Sequence, residues 1–461
     1  MNNEINDYIN RNQQQIVNHL VDIIKVPSVN GESSEEAPFG KDIQRCLQLA
    51  IQISKQLGLN TFINKGYYGW AEIGQGKPLG VILVHLDVVP AGENWDYPPF
   101  EGKLVGDKIY GRGTEDDKGP AIASIHALAA IKHSSIKVNG RLRIIFGTNE
   151  ELGWGGVDYY REHDQLPDYG ITPDAQFPLI YAEKEIIRIL IQSETDSSLL
   201  LSMQGGAAVN MVPDQAQAAL VKQSSLVEKI NNIKALQKNE VDICLDKNEI
   251  KISTRGKSAH GSTPEEGVNA ITKLNEILIN LIDHQDPGYQ IIEFYQNFLA
   301  NDPGGKKLNI AHENFSGKLT INPGILKFTP PHYQIELDIR SPVGIDPSII
   351  LSEINSRLPS GFNATIQRGV PGLHVDRDSV LVKSLLNTYR EITGDHSPPL
   401  AIGGGTYARA FKNTVAFGSS FPGQPKLAHQ KNEFIKIENL IKLTNIIAQA
   451  VVNLDQQFKQ K

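Results

Sequence analysis

The sequence predicts an α/β protein: a mixed, mostly parallel sheet flanked by helices, with an α+β domain inserted into it. Three observations carry that expectation. At 461 residues the chain exceeds what one hydrophobic core usually serves, so at least two domains are expected. From about Asn10 to Leu190, helical periodicity alternates with short, continuously apolar runs, the pattern of helices packed around a largely parallel sheet. From Ile187 to Leu373 the texture changes to alternating strands, turns and isolated amphipathic helices, and after Leu373 the first texture returns. The expected division is therefore 1–186 and 374–461 for one domain and 187–373 for the insertion.

Individual elements follow from local pattern. Ile16, Leu20, Ile23 and Ile24 repeat at helical spacing until Pro27 ends the run. Val81 to Val84 and Leu142 to Phe146 are unbroken apolar runs suited to strands buried on both faces. Between them, Pro120 to Ile131 is apolar nearly all round, a helix expected in the interior with Pro120 in its first turn. In the insertion, Val241 to Leu245 and Glu249 to Ser253 flank Asp246, Lys247 and Asn248 as a hairpin. Tyr333, Ile335, Leu337 and Ile339 alternate with Gln334, Glu336, Asp338 and Arg340, which predicts a strand with one apolar and one polar face. Asn301 to Lys307, with two glycines and a proline, predicts a surface loop and a flexible point. The last helix is expected from about Glu433 to Phe458.

Composition narrows the function classes. The formal charge is −7, and no Lys/Arg cluster would track a phosphate backbone, so nucleic acid is not an expected partner. Met1 to Gln15 lacks the basic start and apolar core of a secretory signal, and no apolar run reaches membrane-spanning length, so no membrane association is expected. Cys46 and Cys244 fall in different expected domains, which argues against a disulfide framework and for a reducing, cytoplasmic setting.

The chemistry-bearing residues cluster where strands end. The run Val81 to Val84 leads into His85-Leu86-Asp87, and sites in open α/β sheets are built at that end. By itself such a His/Asp pair is more often structural. Further acids accompany it: Asp116-Asp117 in Gly111-Arg112-Gly113-Thr114-Glu115-Asp116-Asp117-Lys118-Gly119-Pro120, then Glu150-Glu151, then Asp174 in Pro173-Asp174-Ala175. Ala428-His429-Gln430-Lys431-Asn432-Glu433 follows far downstream. Like charges gathered this way are costly without a cation.

Taken in order, these motifs resemble the M20 family of co-catalytic metallopeptidases, most closely its PepV-type bacterial dipeptidase branch (Xaa-His or β-Ala-Xaa dipeptidases), over nearly the whole chain. The resemblance implies two divalent metal ions, with His85 and Asp174 on one, Glu151 and His429 on the other, and Asp116 bridging both. Two imidazoles and three carboxylates suit Zn²⁺, Mn²⁺ or Co²⁺ without selecting among them, zinc being the default. Their three negative charges and one hydroxide would neutralise two dications, and ions about 3.5–4 Å apart can share that oxygen and polarise a carbonyl. Asp87 is expected to orient His85, and Glu150 to act as general base on the shared water. A cis peptide between Asp116 and Asp117 is also implied.

On the substrate side, the resemblance extends to Val209-Asn210-Met211-Val212-Pro213-Asp214, Lys257-Ser258-Ala259-His260-Gly261 and Asp338-Ile339-Arg340, which match motifs of an enlarged lid. It implies that Asn210 and His260 stabilise the oxyanion and that Arg340 holds the substrate carboxylate, for which a guanidinium fork is suited. Gly403-Gly404-Gly405-Thr406-Tyr407-Ala408-Arg409 is a glycine-rich turn whose backbone at Gly404 could approach a ligand, or simply turn tightly. An insertion of this length implies a monomer. Glu115 stands where relatives commonly carry a small residue, and Glu185 where a glycine is usual. The expected activity is hydrolysis of dipeptides with a free N-terminus; the alternatives within the family are deacylation of N-acyl amino acids and carboxypeptidase action on longer peptides.

Overall fold

The computed structural model describes residues 2–232 and 240–458. The chain divides into two compact units: Met1–Tyr181 with His374–Leu400 and Thr406–Lys461, and Ala182–Leu373 with Ala401–Gly405. Among the described residues no helix is long and apolar enough to cross a membrane.

The first unit is built on a mixed sheet whose strands run in the order Asn60–Asn64, Tyr68–Gly74, Arg141–Gly147, Leu79–His85, Tyr169–Thr172 and Thr414–Ala416. The first two join antiparallel, and the strand pairs from Arg141–Gly147 through Thr414–Ala416 are parallel. Every residue of Leu79–His85 is buried, as its uninterrupted apolar run requires. Helix Lys118–Lys132 is buried along all but its last residue, which matches the all-round apolar pattern. Its Lys118 is solvated internally, donating from Nζ to the Val26 carbonyl at 2.6 Å.

The second unit carries an eight-stranded antiparallel sheet in the order Val241–Leu245, Glu249–Arg255, Gln215–Val221, Leu200–Gly205, Thr320–Thr329, His332–Ser341, Glu185–Glu194 and Phe362–Val370. One apolar core joins this sheet to helices Ala270–Leu281, Tyr289–Phe298 and Pro347–Arg357.

Several elements depart from the sequence pattern for identifiable reasons. A helix at Asn3–Arg11 precedes the expected Gln13–Ile24: Asn2 caps it through the amides of Glu4 and Ile5, and Ile5 and Ile9 bury one stripe. The terminal helix starts at Ile437, four residues later than expected, because Phe434–Lys436 pairs antiparallel with Lys108–Tyr110. The loop after Asn301 is tied down, with the Asp302 carboxylate accepting the Lys307 amide at 2.7 Å and Lys307 Nζ donating to the Ala300 carbonyl at 2.7 Å. The polar face of His332–Ser341 ends as a buried one, since Asp338 and Arg340 are both inaccessible. The stretch Ala401–Gly405 groups with the second unit.

Close packing at the sheet centre yields a test. A Cβ on Gly80 would lie 2.5 Å from the buried ring of Tyr169. Gly80→Ala is expected to lower stability by about 1–3 kcal/mol, the usual cost of overpacking, measured as a shift of the urea midpoint of the first unit.

Candidate metal centre

Parallel strand order brings together residues that sequence separates. Arg141–Gly147, Leu79–His85 and Tyr169–Thr172 are neighbours in register, with His85 opposite Gly147 and Ile82 opposite Ile171. Their carboxyl ends therefore open on one edge, delivering Glu150 and Glu151, His85 and Asp174 respectively. Asp116 and His429 arrive by another route. Tyr110 pairs with Phe434, so the segment leading to Asp116 and the segment coming from His429 lie side by side. The peptide between Asp116 and Asp117 is cis, as expected.

The five expected ligands converge as two groups that share one member: His85, Asp116 and Asp174; and Asp116, Glu151 and His429. His85 Nε2 lies 3.0 Å from Asp116 Oδ1 and 3.6 Å from Asp174 Oδ2. His429 Nε2 lies 3.1 Å from both Asp116 Oδ2 and Glu151 Oε2. Each oxygen of Asp116 thus faces a different imidazole, which is the disposition of a bridging carboxylate. Glu151 Oε1 is buried without a hydrogen-bond partner. This donor set fits two divalent cations of borderline hardness.

Electrostatics points the same way. Burial raises Asp174 and Glu151, and Asp116 adds to both shifts. Glu150 is pushed up to about 8, first by burial; His85 opposes the shift while Asp174, Glu151 and Asp87 reinforce it. Burial would likewise raise Asp116, but hydrogen bonds from His429 and His85 outweigh it and hold the group well below the carboxylate range. His429 is raised to about 10 by hydrogen bonds to Asp116 and Glu151. For His85, burial pulls down, yet its contacts with Asp116, Asp174 and Asp87 leave it well above its ordinary value. Protons on the imidazoles hold together acids that cations would hold better.

Asp87 contacts both His85 and the segment of Glu150 and Glu151. His85 Nδ1 is 3.0 Å from the Asp87 backbone carbonyl and 3.6 Å from its carboxylate. The carbonyl is the nearer of the two, and Nε2 is turned to Asp116 and Asp174. The Asp87 carboxylate also accepts the amides of Glu150 at 3.1 Å and Glu151 at 3.0 Å. Trp154 Nε1 donates to Glu150 Oε1 at 3.1 Å, so the expected base is itself held in place.

Sequence reasoning missed a second set of acids that brace the ligands. Asp117 accepts the His85 amide at 3.0 Å. Glu433, wholly buried, accepts Arg112 Nη1 at 2.7 Å and the amides of Gly113, Glu115 and Asp116 at 3.0, 2.8 and 3.3 Å. Burial comes first in pushing Glu433 up to about 7, while Arg112 and these amides oppose the shift. The signal was present as an acid four residues past His429 and an Arg inside a glycine-rich loop, but pairing them requires knowing that the two segments run antiparallel.

The second unit groups its own expected residues. The Gly261 amide donates to the Asn210 carbonyl at 2.7 Å and the Val212 amide to that of Ala259 at 2.8 Å, so the Asn210 and His260 loops form one paired structure. Asn322 braces it through the carbonyls of Val209 and Met211. His260 Nδ1 lies 2.7 Å from Ser262 Oγ and 3.1 Å from the Ser262 amide, so Ser262 holds that side of the ring. Arg340 Nε and Nη2 both reach Asp338 Oδ2, at 3.0 and 2.9 Å, and Nη1 donates to the Gly403 carbonyl at 3.1 Å. A Cβ on Gly403 would meet Ser262 at 2.8 Å, whereas Gly404 has room for one, so the close approach is at Gly403. Glu185 begins the strand Glu185–Glu194 and accepts the Gly344 amide at 3.2 Å.

A mostly parallel α/β sheet with such donors beyond its carboxyl ends is the arrangement of a dinuclear metal-dependent hydrolase. Residues 81–453 match peptidase family M20/M25/M40, and the chain belongs to that family. It is 32% identical over 456 residues to YtjP of Bacillus subtilis (strain 168), provisionally called a dipeptidase, covering 96% of this chain and 98% of that protein. The fold is shared with the di-peptidase Dug1p of Saccharomyces cerevisiae (TM-score 0.59, 13% identity, 98% of each chain). It is also shared with aminoacylhistidine dipeptidase from Vibrio alginolyticus (TM-score 0.57, 16% identity, 96% of this chain and 97% of that one).

Since His85 and His429 hold protons more tightly than free imidazole, His429 up to about 10, loading cations into chelator-stripped protein should release protons and weaken progressively as pH falls from about 10. Calorimetry in buffers of different ionisation enthalpy measures that release. His429→Ala should keep one ion per chain by elemental analysis where the unaltered protein keeps two.

Proposed function

We propose that this M20 peptidase hydrolyses dipeptides with a free N-terminus, using two divalent ions held by His85, Asp116, Glu151, Asp174 and His429, with Glu150 as general base. The observation that carries the reading is Asp116, whose two oxygens face two different imidazoles. Bound there, two cations would polarise the scissile carbonyl and acidify the attacking water. The chain's own residues do the rest. Glu150, partly buried and oriented by the Trp154 indole, takes a proton from that water at its carboxylate and returns it to the leaving amine nitrogen. His260 donates from Nε2 and Asn210 from its amide to the developing oxyanion. Arg340, its guanidinium fixed by Asp338, takes the C-terminal carboxylate of the substrate.

The same reading has the chain acting as a cytoplasmic monomer, with zinc first among Zn²⁺, Mn²⁺ and Co²⁺. Its free cysteines, Cys46 buried and Cys244 exposed, accord with a reducing setting.

A panel of free dipeptides and their N-acetylated counterparts tests the substrate class, with the reloaded enzyme expected to cleave the free forms faster. Preference for blocked forms would move the assignment to deacylation. Glu150→Ala is expected to keep both ions yet lose about 10²-fold or more in kcat; full activity in that variant would remove the residue from the chemistry.

A further inference from the structure

We propose that Glu115 is a positioning residue whose carboxylate ties the segment bearing His429 to the loop bearing Asp116, and so sets His429 for the ion these two would share with Glu151. The inference rests on the dinuclear reading above and adds a residue to it.

Both oxygens of Glu115 are engaged, and both partners lie in the same downstream segment. Ser420 Oγ donates to Oε1, and the Leu427 amide donates to Oε2 at 3.3 Å. Each partner is connected to a ligand. Leu427 opens the tight turn that contains His429, closed by the Gln430 amide on the Leu427 carbonyl at 2.9 Å. Ser420 lies in the short strand Ser419–Ser420, paired parallel to Ala175–Gln176, immediately after Asp174. Glu115 itself is held from behind, its amide donating to Glu433 at 2.8 Å.

The segment needs such a tie. His429 is about half exposed, while the other four ligands are largely buried, and its backbone is left-handed at φ 63°. A non-glycine residue is held in that region by its surroundings rather than by its own preference. Two hydrogen bonds tie the backbone of this turn to the loop of Asp116: the Leu427 amide on Glu115, and Arg112 Nη1 on the Gln430 carbonyl at 3.2 Å. A small residue at position 115 could accept neither hydrogen bond.

Zn²⁺ titration of chelator-stripped protein, followed by calorimetry, distinguishes the cases. The unaltered chain should bind two ions. Glu115→Ala should bind one ion as before and the other about 10–100-fold more weakly, the usual cost of losing a group that orients a ligand. Glu115→Gln should bind both nearly as tightly as the unaltered chain, since its amide oxygen can accept the Leu427 amide while its NH₂ donates to Ser420 Oγ. That rescue separates tethering from charge: a Gln variant as weak as the Ala variant overturns the proposal, as does an Ala variant that binds both ions normally. Should Glu115→Ala fail to fold by circular dichroism, Ser420→Ala removes one of the two ties, and unchanged affinity there overturns it equally. An unaltered chain that binds fewer than two ions would overturn the dinuclear reading and this inference together.

Discussion

Carboxylate repulsion inside a low-dielectric pocket is the constraint around which the first unit is organised. Glu150, Glu151, Asp116 and Asp174 meet at the ends of parallel strands where water is largely excluded, and charges at such distances repel strongly. Two imidazoles offset part of that repulsion, and two dications would offset the rest. The protein therefore has to hold acids together against their own electrostatics, and it does so with backbone geometry.

The means is a second circle of acids that bind amide groups. Asp117 holds the amide of His85, Asp87 those of Glu150 and Glu151, and Glu433 that of Asp116. Each uses a buried carboxyl group to fix the main chain of a residue whose side chain faces the candidate metal site. Amide hydrogen bonds favour the charged form of such a group, and at Asp117 and Glu433 they oppose a burial that still raises both. Arg112 supplies the one buried guanidinium in this network, and Glu433 pairs with it while still accepting amides from the adjoining loop. The helix Lys118–Lys132 behind the loop is buried nearly throughout, so the platform has little freedom to relax.

Much of this was legible in the residues. Continuous apolar runs gave the buried strands at Val81 and Leu142, and an all-round apolar pattern gave the central helix, because burial on every side leaves no polar stripe. The ligand types and their order along the chain carried the family resemblance. What could not be read was pairing over long separations. That Glu433 grips Arg112, or that Phe434–Lys436 is a strand rather than the first turn of a helix, depends on a partner more than 300 residues away. Asp87 was expected to orient His85, which it touches; that its carboxylate also serves two amides on an adjacent strand's extension could not be read from the residues. Arg340 alternates onto a polar face, yet Asp338 and the Gly403 carbonyl make that face an interior one.

The connectivity of the first unit also orders events in time. His85, Asp116, Glu151 and Asp174 are all made before the second unit's main segment is synthesised, while His429 and Glu433 come only after it. A growing chain that has passed Asp174 already carries four of the five acids and imidazoles, but neither the partner of Arg112 nor the second imidazole. Until the ribosome has moved beyond Glu433, the half-built pocket has a buried-type arginine without its acid and a loop without its amide acceptor. The fifth of the residues proposed to hold the ions, and the acid that braces their loop, are therefore supplied only by the last segment of the chain.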